Sequence, residues 1–215
     1  MKLSLDGVKK MHAVLSADPH YLAKSEKTRL RIVEQALKVI ADRGLEQASF
    51  AALAEEIGVS RPLITHYFSK KEELFVEVIH FSVANAQIHV GSAFDETKSA
   101  LKNINSYVKS NFEWAKKFPD HLKMWMAFLY HCTFNPEYLK FNSEVREIGR
   151  SRLKSFVDRG IKNREASNLD SEYIASVLYN QVVHLVISSV TQNGVDIRNY
   201  RALRKLTREL LKTES

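Results

Sequence analysis

The chain has 215 residues, 45% of them hydrophobic and 27% charged, a balance that supports a packed core and excludes wholesale disorder. With only 7 glycines and 4 prolines it has too little turn punctuation for an all-β sandwich or barrel, so an all-α chain of one or two domains is expected. The formal net charge of +7 favours a polyanionic partner, nucleic acid first, although a solvated basic surface carries the same sign.

Residues 1–24 read as a semi-ordered extension. Asp6, Lys9, Lys10 and Asp18 deny it the apolar stretch of a signal peptide, and Pro19 biases Asp18 away from helical angles and separates the segment from the next helix. From Lys27 to Arg43, Ile32, Ala36, Val39 and Ile40 recur at helical spacing, and Gly44 stands where a left-handed C-cap belongs. Ser49 can cap a short second helix carrying Leu53, Ala54 and Ile57, which Gly58 closes. Ser60 can cap a third from Arg61 to Tyr67, with Pro62 tolerated in the first turn. Ser69 and Glu72 then form S-x-x-E, a capping box that opens a fourth helix through Leu74, Phe75, Val78 and Ile79.

The second half holds longer helices. One runs from about Thr97 to Lys117 and is ended by Pro119; another runs from Asp120 to about Phe134. Asn135 as cap and Pro136 at the first helical position open a third, toward Arg159 and Gly160. Asp170 caps an apolar helix through Ile174, Val177, Leu178, Val182, Leu185, Val186 and Val190, ended by Asn193-Gly194. A basic amphipathic helix from Asn199 to Lys212 comes last. No run approaches the uninterrupted apolar length of a membrane span, since the stretch from Met124 to Tyr130 is bounded by Lys123 and His131, so a soluble, cytoplasmic chain with no membrane partner is expected.

The tight Gly58-Val59-Ser60 turn joins two short helices into a helix-turn-helix, whose second helix can lie in a major groove with its first residues at base edges. Arg61 has the fork geometry for guanine, Pro62 or Leu63 can touch a thymine methyl, and Thr65 can reach a base or a phosphate. His66, Tyr67, Lys70 and Lys71 can donate to phosphates, as can Lys27 and Thr28 from the start of the first helix of the module, with Ser60 at the turn. Bland readings stand beside these: His66 can simply face solvent, Tyr67 can be packing, Arg61 can clamp the backbone, and Phe68 reads as core.

The stretch Ile32 to Lys71, above all G-V-S-R-P-L-I-T-H-Y-F-S-K-K-E-E-L at Gly58 to Leu74, resembles the DNA-binding domain of the TetR family. The resemblance implies phosphate contacts at Tyr67 and Lys71 and base-facing Arg61, Pro62 and Leu63. It departs at Thr65, where the family often has tyrosine. Met124-Trp125-Met126-Ala127-Phe128-Leu129 with Asn135-Pro136-Glu137 resembles the choline-responsive and related branch. The family implies an N-terminal three-helix domain (25–72, after the extension 1–24) joined by a fourth helix to a ligand-binding and dimerisation domain (73–215).

Trp114, Trp125, Phe128, His131 and Tyr179 can line an apolar cavity with Asn180 or His184 as polar anchor, although aromatic residues at helical spacing also make ordinary core. The apolar surface of Val177, Leu185, Val186 and Val190 suits a two-fold interface. Cys132 is the only cysteine, which excludes an intrachain disulfide and a multi-cysteine zinc site and fits a reducing cytoplasm. Its neighbour His131 points about 100° away on a helix. Glycine-rich phosphate loops, a G-x-S-x-G elbow and an H-E-x-x-H pair are missing, so neither an enzyme nor a cofactor is expected. The expectation is a homodimeric repressor that a small-molecule effector releases from a palindromic operator in double-stranded DNA; a regulator that activates, or that answers to a protein partner, is the alternative.

Overall fold

A computed structural model of the chain describes residues 2–95, 97–166, 170–191, 194 and 196–211. Among them are ten helices and no strands: α1 (Leu5–Ser16), α2 (Lys24–Arg43), α3 (Phe50–Ile57), α4 (Arg61–Tyr67), α5 (Lys71–Gly91), α6 (Ala100–Lys117), α7 (Pro119–Cys132), α8 (Pro136–Lys162), α9 (Ser171–Thr191) and α10 (Ile197–Leu210). The fold is all-α, as composition requires. The helices form two compact units, Met1–Ile88 with Pro119–Asn142, and His89–Phe118 with Ser143–Ser215.

In the first unit the expected semi-ordered extension contains an ordered helix. The Ser4 hydroxyl accepts the Gly7 N–H (3.2 Å) and so caps α1, and Leu3, Val8 and Met11 are buried. Periodicity explains the rest of the packing: Ile32, Val33, Ala36, Leu37 and Ile40 form one buried face of α2, which packs on α3 and α7. Ser49 caps α3 by accepting the Ala52 N–H (3.2 Å). Gly58 ends it at φ +71°, ψ +39°, a left-handed conformation that only glycine adopts at little cost.

Two expected caps work differently. The Ser60 side chain makes no capping hydrogen bond, and the Leu63 N–H goes to the Ser60 carbonyl (3.0 Å) instead. At α5 the partner of Ser69 is Glu73, not Glu72. The Glu73 carboxylate accepts from the Ser69 N–H (3.0 Å) and hydroxyl (2.8 Å), because α5 begins at Lys71, one residue later than the S-x-x-E spacing assumed.

In the second unit α6, α9 and α10 pack on one another. Asp170 caps α9 by accepting from Glu172 and Tyr173 N–H (3.0 and 3.1 Å). Asp196 caps α10 by accepting from Arg198 N–H (2.8 Å), so that helix starts before Asn199. Ser99 caps α6, which begins at Ala100 rather than at about Thr97. Gly160 does not end α8; it lies inside the helix, where an added Cβ would come within 2.7 Å of the Ala100 methyl, so its smallness serves close packing. Asn193 and Lys212 lie outside the described residues. The stretch Ser171–Val190, with mean hydropathy 1.3, is long and apolar enough by length and composition to cross a membrane, contrary to what uninterrupted runs suggested. It reaches that value despite Asn180, Gln181 and His184, and α9 packs against α6 and α10.

Candidate nucleic-acid interface

The helix-turn-helix is built by α3, the Gly58-Val59-Ser60 turn and α4. Ile64 and Phe68 are buried at 0% and 1% exposure, which fixes the rotation of α4 and leaves Arg61, Pro62, Thr65 and His66 exposed, with Leu63 and Tyr67 half-buried. That is the division of labour a groove-reading helix needs: one face anchored, the other free for base edges and phosphates. Thr65 donates to the Pro62 carbonyl (3.0 Å), so its methyl and a lone pair of its hydroxyl remain for a partner. His66 and Tyr67 meet edge to face at 5.2 Å.

The flanking cations surround this helix. Lys27, Ser60 and Lys70 are exposed, and Thr28 donates to the Lys24 carbonyl within α2 (3.0 Å). The Lys71 ammonium donates to the Glu46 carbonyl (2.9 Å), which holds it against the α2–α3 loop while two of its three N–H groups stay available.

Sequence reasoning passed over the two arginines that orient the module. Arg29 Nε donates to Glu77 Oε1 (3.0 Å), its Nη1 to the Tyr67 carbonyl (3.3 Å), and its guanidinium lies 4.6 Å over the Phe68 ring. One residue thus ties α2, the end of α4 and α5. Arg31 Nη2 donates to the Ile57 carbonyl at the end of α3 (2.8 Å). A signal existed for Arg29: it stands four residues before Val33, on the buried face of α2, where a charge needs a partner.

The residues singled out for a sensor cavity fall into the two units. In the first, Phe128 is fully buried, with rings of Trp125, Tyr138 and Phe141 at 4.6, 5.7 and 6.2 Å, and His131 meets Phe75 edge to face at 5.6 Å. In the second, Trp114 is 8% exposed and packs with Phe118. Arg146 there donates to Asn180 (3.3 Å) and lies 5.5 Å over Tyr179, whose hydroxyl burial pushes above its ordinary range. His184 is exposed.

Residues 32–78 match the family model described as bacterial regulatory proteins, tetR family. Residues 32–78 thus carry a DNA-binding domain of the tetR type, and the chain is a DNA-binding transcriptional regulator. It is a DNA-binding protein and not an enzyme. The chain is 23% identical over 159 residues to the HTH-type transcriptional regulator BetI of Yersinia pestis, covering 70% of this chain and 76% of that one. A protein from Saccharomonospora viridis solved in complex with choline superposes with a TM-score of 0.77 at 19% identity, over 87% of this chain and all of that one. A TetR transcription regulator from Haloarcula marismortui superposes with a TM-score of 0.75 at 14% identity, over 86% of this chain and 97% of that one. The chain therefore shares the helical architecture of these solved proteins.

Proposed function

We propose that this regulator is a TetR-type cytoplasmic homodimeric repressor that holds a palindromic operator and lets go when a small organic effector binds. The observation that carries the reading is α4: Ile64 and Phe68 lock it to the core while Arg61, Pro62, Thr65 and His66 face outward. Arg61 is the base reader, Tyr67, Lys70 and Lys71 hold phosphates, and Lys27 and Thr28 do the same from α2.

Dimerisation is proposed on the part of α9 that its own chain leaves open. Only 33% of its apolar window is buried, with Val177, Val183, Val186 and Ile187 half-buried and Tyr173 63% exposed. Leu185 drops out of that face, because at 2% exposure it already serves the core of its own unit. The effector reading is supported by the choline complex of the S. viridis protein, and a sensing role is proposed for the helical region after residue 72. Linkage sets the requirement that the effector bind the DNA-free arrangement better than the DNA-bound one.

Selection of duplexes from a random pool with the full-length protein tests the reading. A recovered consensus with two half-sites related by a dyad, spaced at about one helical turn (roughly 34–36 Å) or a multiple, is expected. Recovery of no consensus at physiological salt overturns it.

A further inference from the structure

The segment that joins α1 to α2 is ordered by its own local chemistry. Asp18-Pro19-His20-Tyr21 closes as a β-turn, in which the Tyr21 N–H donates to the Asp18 carbonyl (3.0 Å) and the His20 N–H to the Asp18 carboxylate (2.9 Å). Aspartate first and proline second suit such a turn, because the carboxylate accepts from the backbone two residues on and proline presets φ. Both ends are held: Leu3, Val8 and Met11 bury one side of α1, and α2 begins at Lys24. The turn therefore presents His20 and Tyr21 outward from a fixed base. At 88% exposure Tyr21 is the most exposed large hydrophobic side chain among the described residues.

Its place in the first unit gives that exposure a meaning. Glu26, Arg29, Leu30 and Val33 line a cleft between α1, α2 and α5 and so mark one face of α2. At about 100° per residue, Lys24 and Lys27 lie roughly 100–160° round the helix from Glu26, and both are exposed. The nearby carboxylates are turned elsewhere, Glu26 to the cleft and Asp18 into its own turn. Lys27 stands about 4.5 Å along the helix from Lys24, and the three residues from Lys24 back to Tyr21 span at most about 11 Å. Phosphates on one strand of a duplex follow at a rise of about 3.4 Å, so the next few phosphates of a strand that meets Lys27 fall within reach of Lys24 and Tyr21. An ammonium suits a phosphate by charge, and a phenol by an O–H donor on a stiff ring that costs little entropy to hold. We infer that the segment from Asp18 to Lys24 is a further DNA contact, in which the Lys24 ammonium and the Tyr21 hydroxyl bind phosphates next to the one held by Lys27; this rests on the placement of Lys27 and Thr28 at phosphates proposed above. The N-terminal extension thereby gains a role, since α1 anchors a turn that widens the footprint of the helix-turn-helix.

The test titrates the full-length protein against the duplex recovered by selection, following fluorescence anisotropy over a range of salt. Lys24→Ala should bind about five-fold more weakly at about 0.15 M salt and reduce the salt slope by about 1, as one lost phosphate contact requires. Tyr21→Phe keeps the ring and loses only the donor. It should bind about two- to ten-fold more weakly, the worth of one hydrogen bond, with the slope unchanged. Both side chains are exposed, so folding is not at stake, and melting temperatures equal to the parent's verify it. Parent-like binding by either variant overturns the inference; a tyrosine that serves a protein partner instead gives that result. Lys27→Ala separates the inference from the reading beneath it. If Lys27→Ala loses affinity and slope while Lys24→Ala or Tyr21→Phe does not, the added contact falls and the placement of Lys27 stands; if all three bind like the parent, both fall. The same titrations on a mixed-sequence duplex, which offers the same phosphates, decide the matter even if selection yields no consensus.

Discussion

Gly7→Ala perturbs the close approach of α1 to α5. An added Cβ would lie 2.1, 2.5 and 2.6 Å from Cε1, Nε2 and Nδ1 of His80, well inside van der Waals contact. The ring cannot swing into solvent to make room, being 1% exposed, held by the Ser4 N–H and flanked by Phe141 at 6.2 Å. The strain must therefore lift α1. Overpacking of this kind costs about 1–3 kcal/mol and a lost hydrogen bond about 0.5–1.5, against about 0.5–1 kcal/mol gained by replacing glycine inside a helix. A net loss of about 2 kcal/mol is expected, within the roughly 0.5–4 that these ranges allow, or a fall in Tm of about 4–8 °C for a chain of this size. Thermal unfolding measures the loss, and hydrogen exchange locates it, since the amides of α1 should lose protection before those of α2. A Gly7→Ala protein as stable as its parent, with α1 equally protected, would refute the packing argument.

Arg61→Ala should weaken operator binding by about 1–3 kcal/mol and relax preference at one base pair, whereas Lys71→Ala should weaken all sequences alike and reduce the salt slope by about 1; parent-like binding of both at matched salt would mean that α4 does not enter the groove. Burial pushes the Glu77 carboxyl up, but His80 and Arg29 beside it prevail and hold its pKa below the ordinary carboxylate value. The stability it contributes is therefore complete above the unfolded pKa of about 4.3 and is lost as pH falls through the depressed folded value. Denaturation from pH 6 down to pH 2 should show a steeper acid loss in the parent than in Glu77→Gln, and equal slopes would remove that linkage. Val186→Asp should sediment as a monomer with its helical signal kept, while Leu185→Asp should lose helical signal; a dimeric Val186→Asp protein would place the interface elsewhere.

Much of the fold was legible because its signals are local. Helical spacing in α2, the cap at Ser49 and the left-handed Gly58 each depend on a few neighbouring residues, and the turn and recognition helix are set by them. Helix α1 was not legible for the opposite reason. Its three charged residues, Asp6, Lys9 and Lys10, mask a short apolar face, and what holds it is non-local: Gly7 and the Ser4 N–H against His80, more than seventy residues away. Similarly, Gly160 carries the same local signature as a terminator, and only Ala100 across the packing interface gives it a different role.

The reading surface was legible residue by residue, but its support was not, and the difference is physical. Arg61, Pro62, Thr65 and His66 are recognisable because their chemistry suits base edges and phosphates wherever they stand. Arg29 acts through what it joins, and each of its partners comes from a different element: the Glu77 carboxylate from α5, the Tyr67 carbonyl from the end of α4, and the Phe68 ring from the residue just beyond it. A guanidinium meets all three at once because it is planar and forked, with donors at its edges and a flat face for stacking. An ammonium has neither, so the position demands arginine for geometry as much as for charge. The orientation in which α4 presents Arg61 is thereby fixed from behind by a cation that itself faces no base.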